Sequence, residues 1–302
     1  MVSLDAERND AAKKGAGDRP VIVAGAAGQL GQTIVARLAG SVPTIALTRS
    51  VLDLTNAAAV RRYMVDERPS AIVNCAGYNQ VDLAEEQPEL AMEVNAFAVL
   101  TLARAARDVD AVLVQYSSDF VFDGNIDRPY HEDDRPAPQS VYAASKLLGE
   151  WFAAEAPAHY ILRVESLFGG VSRLKSSLDR IIDTIAQGAP VRVFSDRVVS
   201  PSYAWDVADA TVHLLRMRPP SGVYHGVNTG AATWHELAVE IRRQLGSNAP
   251  LEPVSVADVK LQAARPRYCA LSNAKLRDVG MVMPTWQDAI ERCLAERRAI
   301  RQ

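Results

Sequence analysis

Residues 21–31 read Val-Ile-Val-Ala-Gly25-Ala-Ala-Gly28-Gln-Leu-Gly31, a short apolar run followed by three glycines at a spacing of three. Residues 32–39 continue with Ile34, Val35 and Leu38 at helical spacing, and Thr44 to Thr48 reads as a second strand. Strand, glycine turn, helix and strand in that order form the opening of a parallel βαβ unit. Glycine turns the backbone tightly and lets a pyrophosphate approach the amides at the helix N-terminus, where the helix dipole favours negative charge. Tight strand-to-helix turns also use glycine for steric reasons alone, so the loop draws its force from the elements around it.

The same alternation continues down the chain. Residues 57–67 read as a helix and 71–75 as a strand. Pro88 opens a helix predicted to run to Asp108, since proline suits a first helical turn. Residues 111–116 and 160–164 are further apolar strands. The pattern predicts an α/β chain with a Rossmann-type, doubly wound parallel sheet. From about Leu167 the rhythm weakens, which predicts a smaller C-terminal α/β substrate domain. Thr233-Trp-His-Glu236 has the spacing of a capping box before a helix. The expected organisation is a flexible extension over 1–19 and a dinucleotide-binding domain over 20–166. Part of 191–228 is expected to return to that domain, leaving 167–190 and 229–302 to bind substrate.

Thirty-three Lys and Arg against 36 Asp and Glu give 302 residues a net charge of -3, with 48% hydrophobic residues. These values suit a globular chain, exclude disorder of the whole and give no sign of a nucleic-acid or anionic-membrane partner. No apolar run approaches the ~20 residues that span a bilayer, and the N-terminus lacks the apolar stretch of a signal peptide. Cys75, Cys269 and Cys293 form neither a disulfide framework nor a zinc spacing. A reducing cytoplasm is the expected location.

Two constellations carry chemistry. An acidic residue at the end of the second strand would bind the ribose diol of NAD. Thr48-Arg49 stands there instead, and arginine can pair with a 2'-phosphate or stack on adenine. NADPH is therefore the expected cofactor; NADH stays open, as does an ordinary surface role for Arg49. Tyr142 and Lys146, four apart, share one helix face. A free phenol titrates near ~10, and a nearby ammonium would lower that value and could hold the nicotinamide ribose. Ser117-Ser118-Asp119, at the end of a strand upstream, offers a hydroxyl to a carbonyl oxygen that the tyrosine protonates. The serines could equally do no more than end a strand.

Taken together, these motifs resemble the dTDP-4-dehydrorhamnose reductase family within the extended short-chain dehydrogenase/reductases. The likeness rests on GAAGQLG at Gly25, LDLT at Leu52, IVNCAGYNQVDLAE at Ile72, VNA at Val94, YSSDFVFDG at Tyr116, PYHED at Pro129, VYAASKLLGE at Val141 and RP at Arg265. It implies reduction of the C4 keto group of a nucleotide-linked 4-keto-6-deoxy sugar, with Tyr142 as proton donor and Lys146 and Ser118 completing a triad. It further implies Gly28, Gln29 and Leu30 at the pyrophosphate, Asp53 and Leu54 at the adenine, and Cys75, Ala76, Gly77, Tyr78 and Tyr116 toward the nicotinamide. Val81, Asp82, Asp119, Phe120, Ser166 and Arg265 would approach the sugar. Some relatives bind Mg²⁺ at a dimer interface through glutamates, one in the first helix. Thr33 stands there, so no metal is expected, while a homodimer stays open. Where the family has a tryptophan after Arg-Thr-Ser, this chain reads Arg163-Val-Glu-Ser166, which leaves a reductase of a different keto-sugar open. The chain also resembles the regulatory beta subunit of methionine adenosyltransferase, which shares the fold and keeps the triad motif.

Overall fold

The apolar run before the first glycine becomes β1 (Val21–Ala24), the second-strand segment becomes β2 (Thr44–Leu47), and α1 (Gln29–Leu38) lies between them. The computed structural model describes residues 19–171 and 176–299. Next come α2 (Ala57–Glu67), β3 (Ala71–Asn74), the short helices α3 (Leu83–Glu86) and α4 (Pro88–Met92), a π-helical turn at Glu93–Phe97, and α5 (Ala98–Asp108). β4 (Val112–Ser118), α6 (Val141–Ala153) and β5 (His159–Val164) follow. The remainder is β6 (Leu167–Phe168), α7 (Ser177–Ala186), β7 (Val191–Phe194), β8 (Val198–Val199), β9 (Ser202–Tyr203), α8 (Ala204–Met217), β10 (Gly222–His225), β11 (Ala232–Thr233), α9 (Trp234–Leu245), β12 (Leu251–Val254), α10 (Ala274–Asp278) and α11 (Trp286–Ala299).

The central sheet has six strands in the order β10-β5-β4-β3-β1-β2, and every neighbouring pair is parallel. β1, β3 and β4 are buried along their whole length. Strands covered on both faces read as continuous apolar runs rather than alternating ones. On one face Ile34 of α1 and Val207 and Leu214 of α8 pack on Val23, Val73 and Val114. On the other, Val60 and Met64 of α2 and Leu102 of α5 pack on Ile22, Ile72 and Leu113. The chain leaves β1 toward β2 on one side and β3 on the other. Ligands of such sheets bind at this reversal, beyond the carboxyl ends of the strands.

A separate core gathers Phe168, Leu178, Ile182, Val193, Leu237 and Ile290 with the indoles of Trp234 and Trp286. It lies under α7, α9 and α11. Leu276 and Met283 belong to the sheet's core instead, so a piece of the chain beyond 229 packs back beside β10. Among the described residues no helix is long and apolar enough to cross a membrane. The N-terminal extension expected over 1–19 lies outside the described residues except for Arg19. That side chain is tied down, donating to the carbonyl of Pro69 at 2.7 Å and also to that of Val109.

Three elements differ from expectation by more than one residue. α1 starts at Gln29, because Gly28 already serves as its N-cap. β4 runs on to Ser118, since Ser117 and Ser118 pair with Arg163 and Val164 of β5. The helix expected from Pro88 to Asp108 is interrupted by the π turn at Glu93–Phe97, a feature that often marks functional positions. α2 has its expected bounds, with the Asn56 side chain accepting from the Ala59 amide. The Thr233/Glu236 capping box also forms, at 3.1 and 2.7 Å.

Candidate active site

The glycine turn is shaped by close backbone approach. Gly25 has φ +72°, and a Cβ there would come within 2.5 Å of the Ala76 amide nitrogen. A Cβ on Gly31 would strike the Gly25 carbonyl, so Gly31 lets α1 close on the turn rather than lining a cleft. Beside this turn opens a cleft of about 550 Å³. Of the expected cofactor residues, Gly25, Gly28, Thr48, Arg49, Asp53, Leu54, Cys75, Ala76, Gly77 and Tyr78 line it. The Arg49 side chain is 81% exposed and lies 3.6 Å from the Asp53 carboxylate. Asp53 is held below the usual carboxylate range, first by the Thr55 amide and hydroxyl and then by Arg49.

A second cleft, of about 580 Å³, shares Gly28, Cys75, Ala76, Gly77 and Asn79 with the first. Gln29, Leu30, Val81, Tyr116, Ser118, Asp119, Phe120, Tyr142, Lys146, Ser166 and Arg265 line it. Ser118 sits at the carboxyl end of β4. Tyr142 and Lys146 stand one turn apart on the buried face of α6, whose first turn is fixed by the Ser140 hydroxyl accepting from the Ala143 amide. The Ser118 hydroxyl donates to Asp119 Oδ1 at 2.7 Å. Lys146 Nζ donates to the Tyr116 carbonyl at 2.6 Å. The Tyr142 ring meets Phe120 edge-on, with centroids 5.8 Å apart. Ser166 holds its backbone at φ +46°, a conformation costly for a non-glycine residue and one that gathers at functional sites.

Electrostatics correct one expectation. Burial, and then the charge of Asp119, push the Tyr142 phenol above its ordinary range, while a hydrogen bond to Ser118 acts the other way. The phenol is therefore a protonated acid here, not a lowered one. Burial also brings Lys146 down to about 8, opposed by Glu150.

Two other expected residues serve differently. Asp82 lines neither cleft; it accepts from the Ala263 amide and from Arg265 Nη2, each at 2.9 Å, and so holds Arg265 toward the cleft. Gln29 lines the second cleft, but its amide donates to the Gly169 carbonyl and to Asp179 Oδ2, joining the glycine turn to α7. Thr33 is buried, its hydroxyl donating to the Gln29 carbonyl at 2.9 Å and accepting from the Val171 amide.

Several residues of the site were not singled out from sequence. Asn95, in the π turn, accepts from the Tyr78 amide at 2.8 Å and donates to the Tyr78 carbonyl and to Ser145. The Val94-Asn95-Ala96 motif was its only signal. A Cβ on Gly149 would strike the Asn95 carbonyl, so glycine there lets α6 close on the π turn. Arg180, Arg197 and Trp234 also line the second cleft. They arrive from elements beyond the sheet, and nothing in their local sequence marks them.

Comparison with known proteins fits this geometry. The family model described as "RmlD substrate binding domain" matches residues 19–299. A dTDP-4-dehydrorhamnose reductase of Streptomyces griseus is 38% identical over 269 residues, covering 86% of this chain and 88% of that one. The structure of a dTDP-4-dehydrorhamnose reductase from Clostridium acetobutylicum superposes with a TM-score of 0.88 at 32% identity, covering 92% of this chain and 99% of that chain. A Bacillus anthracis dTDP-4-dehydrorhamnose reductase in complex with NADP gives the same TM-score, identity and coverage. With a family model spanning nearly the whole described chain and a relative of this identity, the protein belongs to the dTDP-4-dehydrorhamnose reductase family.

Proposed function

We propose that the protein reduces the C4 keto group of a nucleotide-linked 4-keto-6-deoxy sugar, using NADPH. The observation that carries this reading is the convergence of Ser118, Tyr142 and Lys146 in a cleft continuous with the glycine-turn cleft. The residues fit a dinucleotide: a Cβ on Gly28 would meet only the Gly25 carbonyl, at 3.3 Å, and Arg49 stands exposed at the far end of that groove. When bound, NADPH supplies the hydride.

The chain's own groups then handle the oxygen. Ser118 polarises the carbonyl, and Tyr142, kept protonated by burial, gives its proton to the oxygen as charge develops there. Lys146 holds positive charge beside the site. Arg180 and Arg265 face the cleft and suit the diphosphate of a sugar nucleotide. Ser166 leaves room where the family's tryptophan would pack on the sugar.

The reading keeps the division into a dinucleotide-binding part, 20–166 with part of 191–228, and a substrate part, and it places the protein in the cytoplasm without a metal. A homodimer is compatible with it: Phe97 and Trp151, 53% and 64% exposed, leave aromatic surface open beside α5 and on α6.

The test is NADPH oxidation against a panel of nucleotide-linked keto sugars, with NADH in parallel. Turnover of a 4-keto-6-deoxy sugar is expected. Tight NADPH binding without turnover of any panel member would favour the regulatory role.

A further inference from the structure

Next to Ser118 lies a group of buried polar side chains that the reduction as described leaves unused. Asp119, Glu165 and Arg197 are 4%, 2% and 8% exposed. A carboxyl oxygen of Asp119, one of Glu165 and the Cys269 sulfur all lie within 4.8 Å of one another. Asp119 Oδ1 accepts from Ser118, whereas its buried Oδ2 has no hydrogen-bond partner. Glu165 Oε2 accepts from the Ser200 amide at 2.6 Å, whereas its buried Oε1 has none.

A buried acceptor without a donor is costly, and two ionised carboxylates this close repel strongly. Arg197 is the cation placed against them, 3.9 Å from Asp119 Oδ2 and 3.8 Å from Cys269 Sγ. Its single charge balances one carboxylate, not two. The thiol's hydrogen bond runs to the Pro266 carbonyl at 3.4 Å, and a thiol is a weak donor beside a carboxyl proton. The other titratable groups facing the pair are Tyr142 and Tyr268, with Arg265 felt through Arg197.

We infer that Asp119 and Glu165 share one proton, and that Glu165 is a positioning residue that acts on the triad through Asp119. Glu165 carries the proton and donates it to Asp119, which satisfies both orphaned oxygens and leaves the pair with the one negative charge that Arg197 matches. Asp119, held in this way, accepts the Ser118 hydroxyl proton. The Ser118 oxygen, which also accepts from the Phe120 amide at 3.2 Å, is thereby held beside the Tyr142 phenol until substrate arrives and the hydroxyl turns from Asp119 to the carbonyl oxygen. Burial raises both carboxyls above their ordinary range, in keeping with a proton held within the pair. This inference rests on the reductase reading for its effect on turnover but not for the existence of the pair.

The pair is tested by infrared difference spectroscopy of the whole protein without substrate at neutral pH. The wild type is expected to show the C=O stretch of a protonated carboxylic acid, shifted in D₂O and missing in Glu165→Gln. Absence of that band, or a band that persists in the variant, would overturn the shared proton. So would a divalent metal found at one per chain by elemental analysis and lost in Glu165→Gln.

The positioning role is tested by turnover. The Glu165→Gln amide still donates to Asp119, so its kcat should stay within about threefold of wild type. Glu165→Leu leaves Asp119 without a donor, and its kcat should fall by about tenfold or more with NADPH affinity retained. An equal fall in both variants would overturn the role. If the leucine variant does not fold, a tenfold loss of kcat in the glutamine variant at unchanged NADPH affinity would do the same. A wild type inactive on the whole sugar panel would refute the reductase reading, while the infrared band still decides the pair.

Discussion

The ammonium of Lys146 lies 2.6 Å from the backbone carbonyl of Tyr116, joining α6 to the end of β4. Both ends of this bond are buried in the cleft wall, and burial brings the lysine down to about 8. In the unfolded chain the same group titrates near 10.5. Below pH 8 both states carry the proton, and the folded state bears the full burial penalty. Between about 8 and 10.5 the unfolded chain binds the extra proton, so this penalty fades as pH rises. Lys146→Met should therefore stabilise the fold at pH 7 by on the order of 1–3 kcal/mol while losing turnover. Urea unfolding at pH 7 and pH 10 checks this: the gain should shrink at the higher pH.

Tyr142 tests the chemistry directly. Phenylalanine keeps the edge-on contact with Phe120 and removes only the proton donor. Turnover of Tyr142→Phe should fall by ~10²-fold to ~10⁴-fold, with NADPH affinity nearly intact. Ser118→Ala should also lower turnover and spare cofactor binding. Steady-state kinetics paired with cofactor titration separate the two effects, and near-wild-type turnover in the phenylalanine variant would refute the proton-donor role.

At the other end of the groove, Arg49 faces Asp53 across 3.6 Å. Arg49→Ala should weaken NADPH by about tenfold and leave NADH nearly unchanged, because only NADPH presents a 2'-phosphate to the guanidinium. Asp53→Asn should shift preference further toward NADPH by removing a nearby negative charge. Fluorescence titrations with both cofactors measure this. Equal losses for the two in Arg49→Ala would assign the arginine to stacking on adenine instead.

His225 governs acid stability. It is fully buried beside Arg163, and burial with that guanidinium lowers it to about 3. Its Nδ1 lies 3.0 Å from the Ser272 carbonyl, as a neutral ring donating from Nδ1 requires. The unfolded chain binds a proton near pH 6.5 that the fold refuses, so stability is lost as pH falls from about 6.5 toward 3. Between pH 6.5 and 5 the wild type should lose on the order of 2 kcal/mol more than His225→Gln. Denaturant unfolding of both proteins at the two pH values decides it; equal slopes would refute the assignment.

Much of this protein was legible in its sequence because the relevant physics is local. The glycine turn at 25–31, the Asn56 cap of α2 and the Thr233/Glu236 box each involve residues within a few positions of one another, so spacing alone reveals them. Tyr142 and Lys146 share a face of α6 for the same reason. Tertiary structure decided what spans the chain. The π turn that breaks the helix after Pro88 is held by Asn95 against Tyr78 and Ser145, 17 and 50 residues away. Asp119, Glu165, Arg197 and Cys269 come from four separate segments. Their meeting, and with it the acidity of Tyr142, follows from how the sheet and the second core close on each other. Burial and charge in such a site depend on neighbours that local periodicity does not encode.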